Sequence, residues 1–205
     1  EQAALRSQMN PHFIFNVLNS IQSFLGENDR KQAQNFLGKF SQLIRRILEN
    51  SKHTFITLEE EIRSLRLYLQ LEQMRFEDKV SYTFDIASEI DQTAVKVPPM
   101  MIQPMIENAI LHGITPSGRN GVIEVKFAVV NGMLVCTIRD NGVGLSAKKE
   151  EKNKFHESTA VNNLRKRIEL LNRVYGTNAS VEIHEIYDNG MTAGTEAKLS
   201  FPLNF

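Results

Sequence analysis

Four short groups of residues in this chain have the types and spacing for chemistry. The first is Asn10-Pro11-His12-Phe13-Ile14-Phe15-Asn16. A neutral imidazole is a good nucleophile near pH 7 and can take up a phosphoryl group at nitrogen. Pro11 falls inside a helical pattern, where it removes one N–H and clashes with the carbonyl of Ser7, so a kink exposing the next turn is expected. His12 shares a polar stripe with Gln8, Asn16 and Asn19. The second group is Glu107-Asn108. An asparagine oxygen suits the hard octahedral shell of Mg²⁺, and Glu107 can accept a proton or hold a water. The third is Asp140-Asn141-Gly142-Val143-Gly144-Leu145, where glycines allow close backbone approach and a carboxylate can accept from an exocyclic amine such as that of adenine. The fourth is Ala193-Gly194-Thr195, a second permissive glycine beside a hydroxyl. Each group alone also has an ordinary reading: a surface histidine beside a kink, a solvated helix face, an Asp-Asn-Gly turn, the start of a hairpin strand.

The elements that must position these residues follow from periodicity. Leu5, Met9, Phe13, Val17 and Ile21, then Ala33, Phe36, Leu37, Phe40, Leu43, Ile44, Ile47 and Leu48, recur at steps of three and four. Two helices are predicted, joined at Gly26-Glu27-Asn28-Asp29 and therefore antiparallel neighbours. Two such helices cannot cover their own apolar seams, so a homodimer forming a four-helix bundle is expected. A boundary is expected over 52–55, giving a helical unit of residues 1–54 and a second unit of residues 55–205. Thr57 followed by Glu60 reads as a capping box for a helix ending near Arg75. Val80, Tyr82, Phe84 and Ile86 alternate as in a strand. Pro98-Pro99 precedes a helix expected over 100–112. Strands over 122–130 and 133–139 meet at Asn131-Gly132, a strong hairpin signal. A helix over 160–174 and a second hairpin, 180–187 and 193–201, complete the chain. The fold class is α+β: a helical hairpin followed by an α/β sandwich whose mixed sheet has helices on one face. Residues 146–159 are polar, without apolar periodicity, and read as a lid-like loop. Its candidate phosphate contacts are Lys148, Lys149, Lys152, Lys154 and His156.

Composition narrows the partners. Of 205 residues, 24 are Lys or Arg and 24 Asp or Glu, and this balance argues against nucleic acid as a direct partner. No apolar run is long enough to span a bilayer, so any membrane attachment belongs to segments outside this chain. The start at Glu1, within a helical pattern, reads as a fragment. The single cysteine, Cys136, lies in an apolar run and reads as a small core residue.

The four groups gain weight from their order. The stretch from Leu5 through Met9-Asn10-Pro11-His12-Phe13-Ile14-Phe15-Asn16 to Ile21 resembles the phosphoacceptor box of the LytS-like sensor histidine kinases, which often signal to LytTR-type response regulators. Val97-Pro98-Pro99 through Gln103-Pro104-Met105-Ile106-Glu107-Asn108 to His112-Gly113 is similar to that family's asparagine box. The Asp140 and Gly194-Thr195 groups match its glycine boxes. The resemblance implies a two-component protein-histidine kinase with ATP and Mg²⁺ as cofactors. His12 would accept the phosphoryl group and Asn108 would bind Mg²⁺. Asp140, with Thr195, would hold the adenine amine. Gly142, Gly144 and Gly194 would shape the pocket, and His112 would approach phosphate. It implies the ATP-binding sandwich shared with gyrase and heat-shock chaperone ATPases, a response-regulator partner, and a cytoplasmic domain of a membrane-anchored parent. Three features depart from the family. Leu111 replaces a common Lys or Arg, and Ala160 replaces a usual glycine where a methyl would oppose positive φ. No carboxylate follows His12, which leaves Glu107 as the nearest candidate base. Leu111 and Ala160 favour an alternative, a catalytically weak signalling scaffold. An ATPase or chaperone of the same sandwich class, with Glu107 activating water, is a second alternative.

Overall fold

The computed structural model describes residues 11–145 and 159–203; the side chains of Pro11, His12 and Thr159 lie outside that description. Helix α1 (Pro11–Gly26) and helix α2 (Arg30–Asn50) form the expected hairpin. Asp29 caps α2 by accepting the Gln32 N–H at 2.9 Å. The two helices bury Phe13, Val17 and Phe24 against Ala33, Phe36, Leu43 and Ile47, with the Phe24 and Phe36 rings edge to face at 5.5 Å. Outside this seam Phe15, Leu18, Leu25, Leu37 and Leu48 stay exposed. The kink expected at Pro11 depends on residues before it, which lie outside the described residues, as do Leu5 and Met9.

Strand β1 (Ile56–Thr57) leads into helix α3 (Leu58–Arg75). Both halves of the capping box are present: the Thr57 hydroxyl accepts the Glu60 N–H, and the Glu60 carboxylate accepts the Thr57 N–H. Such a cap contributes about 1 kcal/mol. Leu58, Ile62, Leu65, Tyr68 and Leu69 make its buried face. α3 also packs on the hairpin. Lys39 Nζ donates to Gln70 Oε1 at 2.7 Å, and the Phe13 and Tyr68 rings lie 5.1 Å apart. A tilted ring pair of this kind adds about 1 kcal/mol beyond its burial.

The main sheet runs β2 (Val80–Ile86), β4 (Gly121–Val130), β5 (Met133–Asp140), β7 (Met191–Pro202) and β6 (Ser180–Asp188) in the order β2-β4-β5-β7-β6. β2 and β4 are parallel and the other neighbours antiparallel, so the sheet is mixed. Asn131 and Gly132 turn the β4–β5 hairpin with φ of 52° and 75°, the positive values a two-residue turn requires. Between β2 and β4 lie β3 (Lys96–Val97), which pairs with β1, and then helix α4 (Gln103–Asn108). α4 continues as a π-helical turn, Ala109–Ile114. Helix α5 (Thr159–Tyr175) precedes β6.

Two expectations are corrected here. The helix predicted over 100–112 begins at Gln103, because Met100 takes φ of +57° in a turn that no helix accommodates. Its second half is π rather than α, with the Thr115 N–H bonded five residues back to the Ile110 carbonyl. The β1–β3 pair was not expected: two residues per strand leave no periodicity to read. Among the described residues, no helix is long and apolar enough to cross a membrane.

Candidate functional site

The site is built where an apolar column ends. Side chains alternate along a strand, so every second residue of β5 shares a face. Leu134, Cys136 and Ile138 are buried on the core face, and Asp140 follows them in step at 6% exposure. The same row continues into β7: Phe201, Leu199 and Ala197 stand opposite the three apolar residues, and Thr195 stands opposite Asp140. Thr195 is also buried, at 7% exposure. A carboxylate and a hydroxyl thus sit side by side at the rim of a hydrocarbon core. A buried carboxylate beside a buried hydroxyl at the edge of a core is a placement typical of functional sites.

Four glycines let the backbone close around this pair. Gly142 donates its N–H to Asp140 Oδ1 at 2.8 Å. A Cβ on Gly113 would meet Asp140 Oδ1 at 2.7 Å, and one on Gly142 would meet the Gly113 carbonyl carbon at 2.2 Å. A Cβ on Gly194, whose φ is +142°, would fall 1.8 Å from the Asp140 carbonyl oxygen. Gly144 takes φ of +76° and rests against Thr192 and Glu185. Asn141 fastens the loop to β4 by accepting the Val122 N–H at 2.8 Å and donating to the Asn120 carbonyl at 3.0 Å. The Val143 N–H donates to the Gly113 carbonyl at 3.0 Å, which joins the loop to the end of the π turn.

The structure therefore brings Asp140, Thr195, Gly142 and Gly194 together, with Gly144 farther along the same loop. Gly113 belongs with them and was not singled out among the candidates, although its place directly after His112 was the available signal. Asn108 and His112 stand on the helix and π turn that deliver Gly113, half-buried and exposed respectively. Glu107 is half-buried and accepts from Gln103 Nε2 at 2.9 Å. It lies within electrostatic reach of Tyr68. Burial first, then the charges of Glu72 and Glu107, push that phenol well above its ordinary range. The His12 side chain and the loop residues Lys148, Lys149, Lys152, Lys154 and His156 lie outside the described residues. Ala160 is in the first turn of α5 with no positive φ, so the strain expected of its methyl does not arise.

Among the described residues, no three His, Cys, Asp or Glu side chains gather as a metal cage. Mg²⁺ characteristically needs none, since it keeps waters and binds through one or two protein oxygens and the phosphates of its ligand.

Comparison with known proteins identifies the family. A histidine kinase family model matches residues 1–80. Sensor protein LytS of Staphylococcus saprophyticus is 33% identical over 211 residues, which cover 98% of this chain and 34% of that protein. The chain belongs to the LytS-like histidine kinases. Sensor histidine kinase YpdA of Escherichia coli is 34% identical over 157 residues, covering 77% of this chain and 27% of its own. The chain thus spans about a third or less of the curated family members it matches. A solved histidine kinase domain, from a blue-light activated histidine kinase of Erythrobacter litoralis, aligns over 98% of this chain and 92% of its own. The TM-score is 0.49 and the identity 13%.

Proposed function

We propose that this chain is the catalytic core of a sensor histidine kinase, which moves the γ-phosphoryl group of ATP to His12 and then to an aspartate on a response regulator. The observation that carries this reading is the buried Asp140–Thr195 pair walled by Gly113, Gly142 and Gly194. A carboxylate in that low-dielectric cleft is a strong acceptor for the adenine amine. The glycines let the surrounding backbone close in on Asp140, which fixes where its carboxylate is presented.

Asn108 would hold Mg²⁺ through its side-chain oxygen, and His112 would approach the phosphates. When bound, Mg²⁺ supplies charge neutralisation on those phosphates. The protein's own contribution is mainly positioning, because a loose phosphoryl-transfer transition state asks little of a base. Glu107, a half-buried carboxylate one position before Asn108, is the residue that would take the imidazole proton. The exposed row Phe15, Leu18, Leu25, Leu37 and Leu48 supports a homodimer through α1 and α2. Residues 1–54 would then serve dimerisation and phosphotransfer, and residues 55–205 nucleotide binding. The response regulator would be of the LytTR type, and any membrane anchor would come from other segments of the parent protein.

Incubation with γ-labelled MgATP tests the proposal. Acid-labile, base-stable label is expected on the protein, absent in His12→Ala and much reduced in Asn108→Ala. Label that persists in His12→Ala refutes the assignment. Steady phosphate release untouched by that substitution would favour an ATPase instead.

A further inference from the structure

Helix α4 cannot hold its own direction. It has six residues before the π turn, fewer than an isolated helix needs. Its N-terminal flank, Ile102, makes no side-chain capping bond. Its far end is pinned where Gly113 meets Asp140 and Gly142. The near end depends on the turn over residues 99–102. Met100 there takes φ of +57°, which disfavours a non-glycine residue, and Met100, Met101 and Ile102 are all buried.

Two side chains of opposite charge, from two other helices, hold that turn. Arg167 of α5 donates Nη2 to the Pro99 carbonyl at 2.8 Å and Nη1 to the Met100 carbonyl at 3.0 Å. Glu61 of α3, 1% exposed, accepts the Met100 N–H on Oε2 at 3.1 Å. Burial pushes its carboxyl up, to about 7, against the opposing pull of the Met100 and Ile102 backbone and the Arg167 charge. Glu61 Oε1 has no hydrogen-bond partner among the described residues. A buried carboxylate kept with one oxygen unpaired is costly for a fold that needs only packing. A carboxylate and a guanidinium reading the N–H and carbonyls of one strained turn fix its conformation closely.

We propose that Glu61 and Arg167 are positioning residues for the metal side of the nucleotide site: they clamp the turn that launches α4 and thereby aim Asn108. The inference rests on the reading of Asn108 as the Mg²⁺ ligand. It separates two halves of one site. The adenine half hangs on Gly113, Asp140 and Thr195 and does not need the clamp. The phosphate half needs α4 held at both ends.

ATP affinity measured with and without Mg²⁺ tests this on the whole chain. The wild type is expected to bind ATP more tightly with Mg²⁺. Arg167→Met and Glu61→Met should lose at least fivefold of that Mg²⁺-dependent gain, while affinity without Mg²⁺ stays within about twofold. Glu61→Gln, which keeps a carbonyl acceptor for the Met100 N–H, should restore most of the gain. Arg167→Lys, which reaches one carbonyl instead of two, should give an intermediate value and carries the test if the methionine variants do not fold. If Asn108→Ala keeps the gain, the metal reading fails and this inference with it. If Asn108→Ala loses it while Arg167→Met and Glu61→Met keep it, the clamp alone is overturned. Equal losses with and without Mg²⁺ in folded variants also overturn it, since they mark a packing role only.

Discussion

Glu61→Gln should change how stability depends on pH, in a direction fixed by where Glu61 sits. Burial raises its carboxyl from an ordinary 4.5 to about 7, against the opposing pull of the Met100 and Ile102 backbone and the Arg167 charge. The folded state therefore holds this proton more tightly than the unfolded chain does. As pH rises from 4.5 towards 7, the unfolded chain releases the proton first, so stability falls across that window and levels off above it. A shift of this size corresponds to roughly 3 kcal/mol. Glutamine cannot ionise and removes this contribution. The groups facing Glu61 from the packed elements are Arg167 on α5 and Cys136 on β5. Arg167 stays cationic below pH 8. Burial, then the Glu61 charge, pushes the Cys136 thiol far above its ordinary range, so it does not titrate in the window. Urea denaturation of both proteins at intervals from pH 4.5 to 8 is the assay. The stability of Glu61→Gln relative to wild type should rise by roughly 3 kcal/mol across the series. Parallel pH profiles would show that Glu61 titrates normally and that the buried, ionisable carboxylate described above is wrong.

Other consequences can be checked as readily. Gly194→Ala places a methyl carbon 1.8 Å from the Asp140 carbonyl oxygen; we expect about 3 kcal/mol of destabilisation in thermal melts, together with loss of ATP binding. Cys136 should resist maleimide at pH 8 in the native protein and react fully in urea, since it is buried and its thiolate disfavoured. Leu37→Glu combined with Leu48→Glu alters two exposed residues of the α2 face. It should convert a dimer to a monomer in sedimentation velocity while leaving ATP affinity within about twofold. Thr57→Ala removes the hydroxyl half of the capping box and should lower stability by about 1 kcal/mol in urea titration.

Much of the architecture was legible because local chemistry and tertiary structure agree. The Asn131-Gly132 turn, the Thr57–Glu60 cap and the alternation that ends on Asp140 each state their conformation within a few residues. Asp140 was a candidate from its loop alone, but its standing at the end of the buried column depends on pairing with Thr195, 55 positions away by number, which only the β5–β7 register supplies. Features set by distant partners stayed hidden. Arg167 reads as one more charge on a polar helix face, yet its donors meet Pro99 and Met100. Met100 reads as the first residue of a helix, yet Glu61 and Arg167 hold it in a turn. Glu61 follows Glu59 and Glu60 in the first turn of α3, where a run of three acidic residues does not say which is inside, and it alone of the three is fully buried. The β1–β3 pair is too short to announce itself.

The π turn after Asn108 sets the spacing tolerance of the whole cleft. Such a turn acts as one extra residue in a helix, and each residue rotates the chain by about 100° around the axis. Shortening the segment Ala109–Ile114 by a single position would restore regular winding and swing Gly113 away from Asp140. A side chain would then press into a gap that only hydrogen fits. Length variation between the asparagine and the glycine of this box should therefore be forbidden, while the surface turn at Asn131-Gly132, remote from the cleft, should accept added residues freely.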